Sequence, residues 1–191
     1  ILYVLQMLAP LCFLPFVIRK PAKLILLIPF ILINLMSNYP YQAAEYAYRY
    51  LTAHDVPCLL HQVKYNMLHR VPETDGLLEQ ARNAGSGLIA FSPLAQGLLT
   101  DRYLNGIPSD SRASRNFSLR KDSLTPELIE RLTKLNALAA ERGQTLAQMA
   151  LAWNLKDDNV TSVIIGASST AQIDDNIQAI RNACFCADEL K

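Results

Sequence analysis

Four short apolar runs, each closed by small or polar residues and followed by a helical pattern, restrict this chain to an α/β fold with a parallel sheet. The plainest is Gly87-Leu88-Ile89-Ala90-Phe91, which has the length and bias of a buried strand. It turns abruptly polar at Ser92-Pro93-Leu94-Ala95-Gln96-Gly97. There Ser92 offers a hydroxyl, Pro93 fixes the turn, and Gly97 lets the backbone come close to another group. The remaining exits are Ser37-Asn38, Gln62 to Tyr65, and Gly166-Ala167-Ser168. All fall at the C-terminal end of a strand, where α/β proteins bind their ligands. An ordinary strand-to-loop turn accounts for any one of them, and the free N–H groups of a capped helix account for Gly166 to Ser168. The repetition at one sheet end is what points to a site.

The intervening pattern sets the element order. Ser37-Asn38-Tyr39-Pro40 predicts a helix to about Ala53, capped by Asn38 or Tyr39, with Ala43, Ala47, Tyr50 and Leu51 on one face. Cys58 to Val63 reads as a strand, and Thr74 or Asp75 caps a helix through Leu77, Leu78 and Ala81. Leu98 to Leu124 has no period and reads as a long functional loop or a lid. Thr125-Pro126 opens a helix striped by Leu128, Leu132, Leu135 and Ala139 and closed at Gly143. Thr145 with Gln148 makes a capping box, and Ser169 with Gln172 a second one, opening a last helix to about Ala183. Between them Val160 to Ile165 is a β-branched strand, predicted to lie parallel beside Gly87 to Phe91. Four strands alternating with helices make half of a (β/α)8 TIM-type barrel.

Composition removes several function classes. A net charge of +1 over 191 residues argues against nucleic-acid binding driven by bulk charge. Cys184-Phe185-Cys186 lacks the gap of a zinc knuckle or redox pair, so the four cysteines read as free thiols and no metal site is expected. Residues 1 to 36 stand apart: they hold no Gly, Asp, Glu or His, and their only charges are Arg19, Lys20 and Lys23. This apolar segment reads as a membrane anchor, as buried core elements, or as residues foreign to the domain after it. Pro10, Pro15 and Pro29 would kink a spanning helix.

Ser37-Asn38-Tyr39, Gln62 with Tyr65, Phe91-Ser92-Pro93-Leu94, and Gly166-Ala167-Ser168 through Asn176 together resemble the C-terminal half of the aldo-keto reductases. The resemblance runs from about Ser37 to Ile180. Leu104-Asn105-Gly106-Ile107-Pro108 and Ser111-Arg112 are similar to the branch holding bacterial L-glyceraldehyde 3-phosphate reductases and potassium-channel β subunits. The resemblance implies an eight-stranded barrel that binds NADP(H) in extended form across the C-terminal face and reduces small aldehydes or ketones. It implies that Ser37 and Asn38 hold the carboxamide with Gln62, and that an aromatic stacks on the nicotinamide, with Tyr65 the candidate. Phe91, Ser92, Pro93, Leu94, Ala95 and Gln96 would form the pyrophosphate loop, with charge from Arg102 and Arg112. Gly166, Ser168, Gln172, Asp175 and Asn176 match the positions around adenosine and its 2′-phosphate, Asp175 standing where the family usually has Glu.

One departure matters for activity. The family's catalytic Asp, Tyr, Lys and His precede the Ser-Asn motif, and residues 1 to 36 contain neither Asp nor His. The glycine usual two residues before the serine is Leu35. The resemblance therefore implies no catalytic residue here. It implies a truncated cofactor-binding half, inactive alone, with residues 37–191 a partial barrel and 1–36 outside it. His61 is the one titratable side chain beside the cofactor strand, and alternation points it away from the Gln62 face. A non-catalytic nucleotide-binding or regulatory subunit is the second reading, and a membrane-anchored protein the third. The expected setting is cytoplasmic, with small carbonyl substrates, no nucleic acid, and membrane contact only through residues 1–36.

Overall fold

The structure, a computed structural model, describes residues 35–109, 111, 113–114, 119 and 121–190. The apolar segment 1–34 and Arg112 lie outside the described residues, and with them the three readings of the N-terminal segment. Strand β1 (Leu35–Ser37) leads to helix α1 (Tyr41–Ala53), then β2 (Leu60–Lys64), the single turn α2 (Val71–Thr74), α3 (Leu77–Asn83) and β3 (Gly87–Phe91). After the long loop come α4 (Pro126–Glu141), α5 (Leu146–Asn154), β4 (Ser162–Val163) and α6 (Thr170–Ile177). The sheet is four-stranded in the order β1-β2-β3-β4. All neighbours are parallel, including β3 with β4, as the strand-helix alternation requires.

Alternation decides which side chains meet the helices. On β2, His61 and Val63 are buried while Leu60 and Gln62 are half-buried; on β3, Leu88 and Ala90 are buried while Ile89 and Phe91 are half-buried. The buried set packs with Met36, Ala44, Tyr48, Leu77, Leu78, Ala81 and Trp153 into the main core. Since Gln62 is the Cα partner of Ile89 and Lys64 of Phe91, the half-buried set lines the opposite face of the sheet. Gly87 keeps β3 close to its neighbours: a Cβ there would sit 3.1 Å from Thr161 Oγ1 and 3.2 Å from Leu60 Cδ2, so those side chains would have to shift.

Several sequence expectations shift in detail. Pro40 takes the N-cap of α1 rather than Asn38 or Tyr39, with no side-chain cap. The buried face of α1 is Ala44 and Tyr48, flanked by Tyr41, Ala47 and Leu51, while Tyr50 is exposed. The turn at Asp75-Gly76 starts α3, Asp75 Oδ1 accepting from Leu77 N at 3.0 Å. Strand β4 is shorter than Val160 to Ile165, although its ladder runs from Thr161 N on Leu88 O to Ile164 N on Ala90 O, both 2.8 Å. Within the stretch from Leu98 to Leu124, expected to be a long functional loop or a lid, the described Leu99, Tyr103, Ala113 and Leu119 pack with Leu132 and Ala150 into a second core. Short 3-10 turns at Asp101–Tyr103 and Lys121–Ser123 lie in it, and their spacing gives no helical or strand period.

The helix ends follow their chemistry. Thr145 and Gln148 form the full capping box on α5. On α6, Ser169 Oγ accepts from Gln172 N, but the Gln172 side chain reaches Ser168 N instead of returning to the N-cap, so the second box is half made. Thr125 caps α4, and Gly143 takes the left-handed φ of +67° just past its end. Among the described residues no helix is long and apolar enough to cross a membrane.

Candidate functional site

The parallel order of the strands puts their C-terminal ends side by side. Ser37, last in β1, is the Cα partner of Gln62. Asn38 follows with φ of +57°, and its N–H donates to Gln62 O at 2.7 Å, so the strained residue is tied directly to the next strand. Gln62 is half-buried on the face away from the helices. His61, one residue earlier, points into the helix layer as alternation predicts. Its Nδ1 lies 3.1 Å from Tyr48 Oη, and burial lowers its pKa to about 4, so the ring is neutral. Burial likewise raises Tyr48 to about 12.

The β3 exit is a strained loop. Ser92, Ala95 and Gln96 have φ of +54°, +47° and +63°, and Gly97 has +96°. Three non-glycine residues in the left-handed region within one turn are costly and need outside support. Ser92, Leu94, Ala95 and Gln96 are half-buried and Pro93 is buried. Gln96 Oε1 is buried with no partner among the described residues. Arg102 is exposed, in a 3-10 turn whose Thr100 hydroxyl accepts from Arg102 N at 3.2 Å.

At the β4 exit Gly166, Ser168 and Gln172 are exposed. Gln172 Oε1 accepts from both Ser168 N (2.7 Å) and Ser168 Oγ (3.1 Å). Both donors of Ser168 are thus spent within the protein, which leaves the Gln172 amide NH2 as the available donor. Asn176 is buried. Asp175 turns from the open end: its carboxylate accepts from Gln148 Nε2 at 2.7 Å, tying α6 to α5.

Tyr65 requires a correction. It is 1% exposed, its hydroxyl donates to Glu73 and accepts from Lys156 Nζ at 2.7 Å, and its ring lies 5.0 Å from that of Trp153. Burial and the Glu73 carboxylate both raise its pKa. A ring enclosed on these sides has no face for a nicotinamide. The aromatic on the Gln62 side of the sheet is Phe91. Sequence reading also passed over Asn66, which is 1% exposed and donates to Ser92 O at 2.8 Å. Its signal was faint: an asparagine just past a strand end. The partners Glu73, Trp153 and Lys156 lie too far from Tyr65 in sequence for any local pattern to join them.

Beside Asn38, a cleft of about 280 Å³ is lined by Tyr39, Lys64, His69 and Asp75 among others. Burial, then the Lys64 charge, lowers the His69 pKa. Among the described residues no hydrogen bond joins Tyr39 to Lys64, so these side chains form no coupled proton-donating pair. No cluster of metal-ligating residues occurs among the described residues.

Comparison with known proteins agrees with this arrangement. The sequence model of the "Aldo/keto reductase family" matches residues 36–191. The chain belongs to the aldo/keto reductase family. It is 46% identical over 160 residues to the L-glyceraldehyde 3-phosphate reductase of Escherichia coli K12, covering 81% of this chain and 46% of that protein. It is 42% identical over 125 residues to a probable voltage-gated potassium channel subunit beta of Arabidopsis thaliana, covering 64% of this chain and 38% of that protein. Among solved structures, a thermostable aldo-keto reductase crystallised with the inhibitor epalrestat superimposes with a TM-score of 0.55 at 27% identity, over 81% of this chain and 44% of its own. The chain thus spans about half the length of the curated relatives it matches, and its four parallel strands form part of the family's TIM-type barrel.

Proposed function

We infer that residues from about Ser37 onward form a binding surface for NADP(H) that serves the reduction of small aldehydes or ketones, the oxidoreductase chemistry of the family. The observation that carries this reading is the alignment of the four strand exits at one end of a parallel sheet. The donor set suits the cofactor: Ser37, Asn38 and Gln62 carry amide and hydroxyl groups for the carboxamide, and Phe91 offers the ring face. The strained Ser92–Gly97 loop presents the Ser92 hydroxyl and the Gln96 side-chain NH2 as donors, its Ala95 and Gly97 N–H groups being bonded within the loop. Arg102 supplies positive charge near by. A bound NADP(H) would supply the hydride, and Ser37, Asn38, Gln62 and Phe91 would hold and orient its nicotinamide.

NADPH is favoured over NADH, but modestly. The Gln172 amide is placed to donate at the start of α6, whereas the donors of Ser168 are held by Gln172. A carbonyl accepting hydride also needs a proton, and general acid catalysis is worth a factor of about 10²–10⁴. We assign that donor to none of the described residues. His61 is neutral, buried and on the wrong side of the sheet, and Tyr65 is enclosed.

The test is NADPH and NADH oxidation by the purified 191-residue chain with methylglyoxal or glyceraldehyde, run beside a direct binding titration. Binding of NADPH without turnover supports the reading. Turnover near that of an intact reductase would show that the proton donor is misplaced, and no binding of either nucleotide would remove the cofactor assignment.

A further inference from the structure

We propose that Asn66 is the positioning residue that fixes the Ser92–Gly97 loop, and through it the affinity for the cofactor pyrophosphate. The functional half of this inference rests on the cofactor reading above; the conformational half does not.

The argument starts from the β2–β3 ladder. Its pairing runs from Leu60 on Gly87 to Lys64 on Phe91 and extends one step further, Tyr65 N donating to Phe91 O at 3.4 Å. The next backbone step is missing because residue 66 turns away: Asn66 and His69 bond each other, N to O in both directions, at 3.3 and 2.9 Å. The Asn66 side chain takes the place of the lost rung, Nδ2 donating to Ser92 O at 2.8 Å. The amide cannot be reversed without loss, since Oδ1 accepts from Leu68 N at 3.0 Å. The backbone N–H and C=O and both side-chain polar atoms of Asn66 thus have partners, in a residue 1% exposed.

The acceptor is what makes this bond consequential. Ser92 is the first left-handed residue of the loop, and its carbonyl also accepts from Ala95 N at 3.0 Å, closing the turn that carries Ala95 and Gln96 into positive φ. Both lone pairs of one oxygen therefore hold the strained turn, one from inside the loop and one from β2. Remove the outside donor and the Ser92 carbonyl keeps only the bond from Ala95 N within the loop, so the left-handed step at Ser92 loses its tie to β2. The residues it presents, Ser92 and Gln96, would then sample other conformations before a ligand arrives, and affinity falls by the fraction of time spent in the competent one.

The perturbation is Asn66→Asp, which keeps size and the Leu68 acceptor but sets an oxygen against Ser92 O. Amide exchange on the full chain reads the conformation directly. The expected result is exchange of the Ala95 and Gly97 amides about tenfold faster, with amides of α5 (Leu146–Asn154) unchanged. A merely structural role would raise both together. NADPH titration is the second readout, and an affinity about tenfold weaker is expected. Unchanged exchange at Ala95 and Gly97, or a rise shared equally by α5, overturns the proposal. Should Asn66→Asp not fold, Asn66→Ser, whose hydroxyl is too short to reach Ser92 O, is judged by the same comparison. Absence of NADPH binding by the wild-type chain would sink the cofactor reading by itself, while the exchange result still decides whether Asn66 sets the loop.

Discussion

Acidification from pH 7 to 4.5 tests the burial of His61 in the helix layer. The ring is 0% exposed, bonded through Nδ1 to Tyr48, with Nε2 unpartnered among the described residues. Burial holds its pKa at about 4 against an ordinary 6.5. In the unfolded chain it takes a proton at the ordinary value, so between those limits the unfolded state binds more protons and stability falls with falling pH. The stabilisation is complete above 6.5 and lost as the pH drops through about 4. At about 1.4 kcal/mol per pH unit the loss from this one group reaches about 2–3 kcal/mol by pH 4.5, a large share of a typical domain's stability. Urea denaturation followed by far-ultraviolet circular dichroism at several pH values measures it. His61→Leu removes the titration and leaves Tyr48 its contact with Ser86. It should cost about 1 kcal/mol at pH 7 and reduce the acid dependence, leaving the share of the half-buried His69, whose pKa burial and Lys64 also lower. Glu73 does not mimic the effect: although burial pushes its pKa up, Tyr65, Arg70 and Lys156 together hold it below the usual range, so its contribution is lost at lower pH. If wild type and His61→Leu lose stability in parallel between pH 6.5 and 4.5, the reasoning about His61 is refuted.

Two substitutions probe the long-range ties. Lys156 bonds Tyr65, pairs with Glu73 at 3.3 Å and lies 3.8 Å over the Trp153 ring; Lys156→Met should cost about 2 kcal/mol and shift the emission of the chain's single tryptophan, whereas unchanged emission and stability would dissolve the network. Arg142 donates to Glu189, Asn182 O and Cys184 O and stacks 3.8 Å over Phe185. Arg142→Ala should cost about 2–3 kcal/mol and expose the chain beyond Asn182 to limited proteolysis; an equally resistant tail would show that Arg142 does not anchor it.

Reading the sequence recovered what local pattern encodes. The strand of Gly87 to Phe91, the Thr125 cap and the Thr145–Gln148 box are set by residues within a turn or two of one another, and the strand–helix alternation gave the parallel pairing of Gly87–Phe91 with the strand around Ser162. Alternation was enough to send His61 to the helices and Gln62 to the other face. What escaped depends on partners far along the chain. Tyr65 follows a strand with polar neighbours and looks like a site aromatic, but Lys156 and Glu73 draw its hydroxyl inward. Asp175 is likewise claimed by Gln148 across the helix interface. The packing of Leu99 and Tyr103 against α4 is hidden by 3-10 turns, whose spacing matches neither helical nor strand periodicity.

The measurement closest to the central claim is amide exchange of the full chain with and without saturating NADPH. If the four strand exits form one cofactor surface, protection rises together at Asn38, at Ser92 to Leu98 and at Gly166 to Gln172, and saturates along a single binding curve. Protection confined to one of these segments, or found only around the cleft lined by Arg70, Glu79 and Arg82 on the helix side, would contradict it.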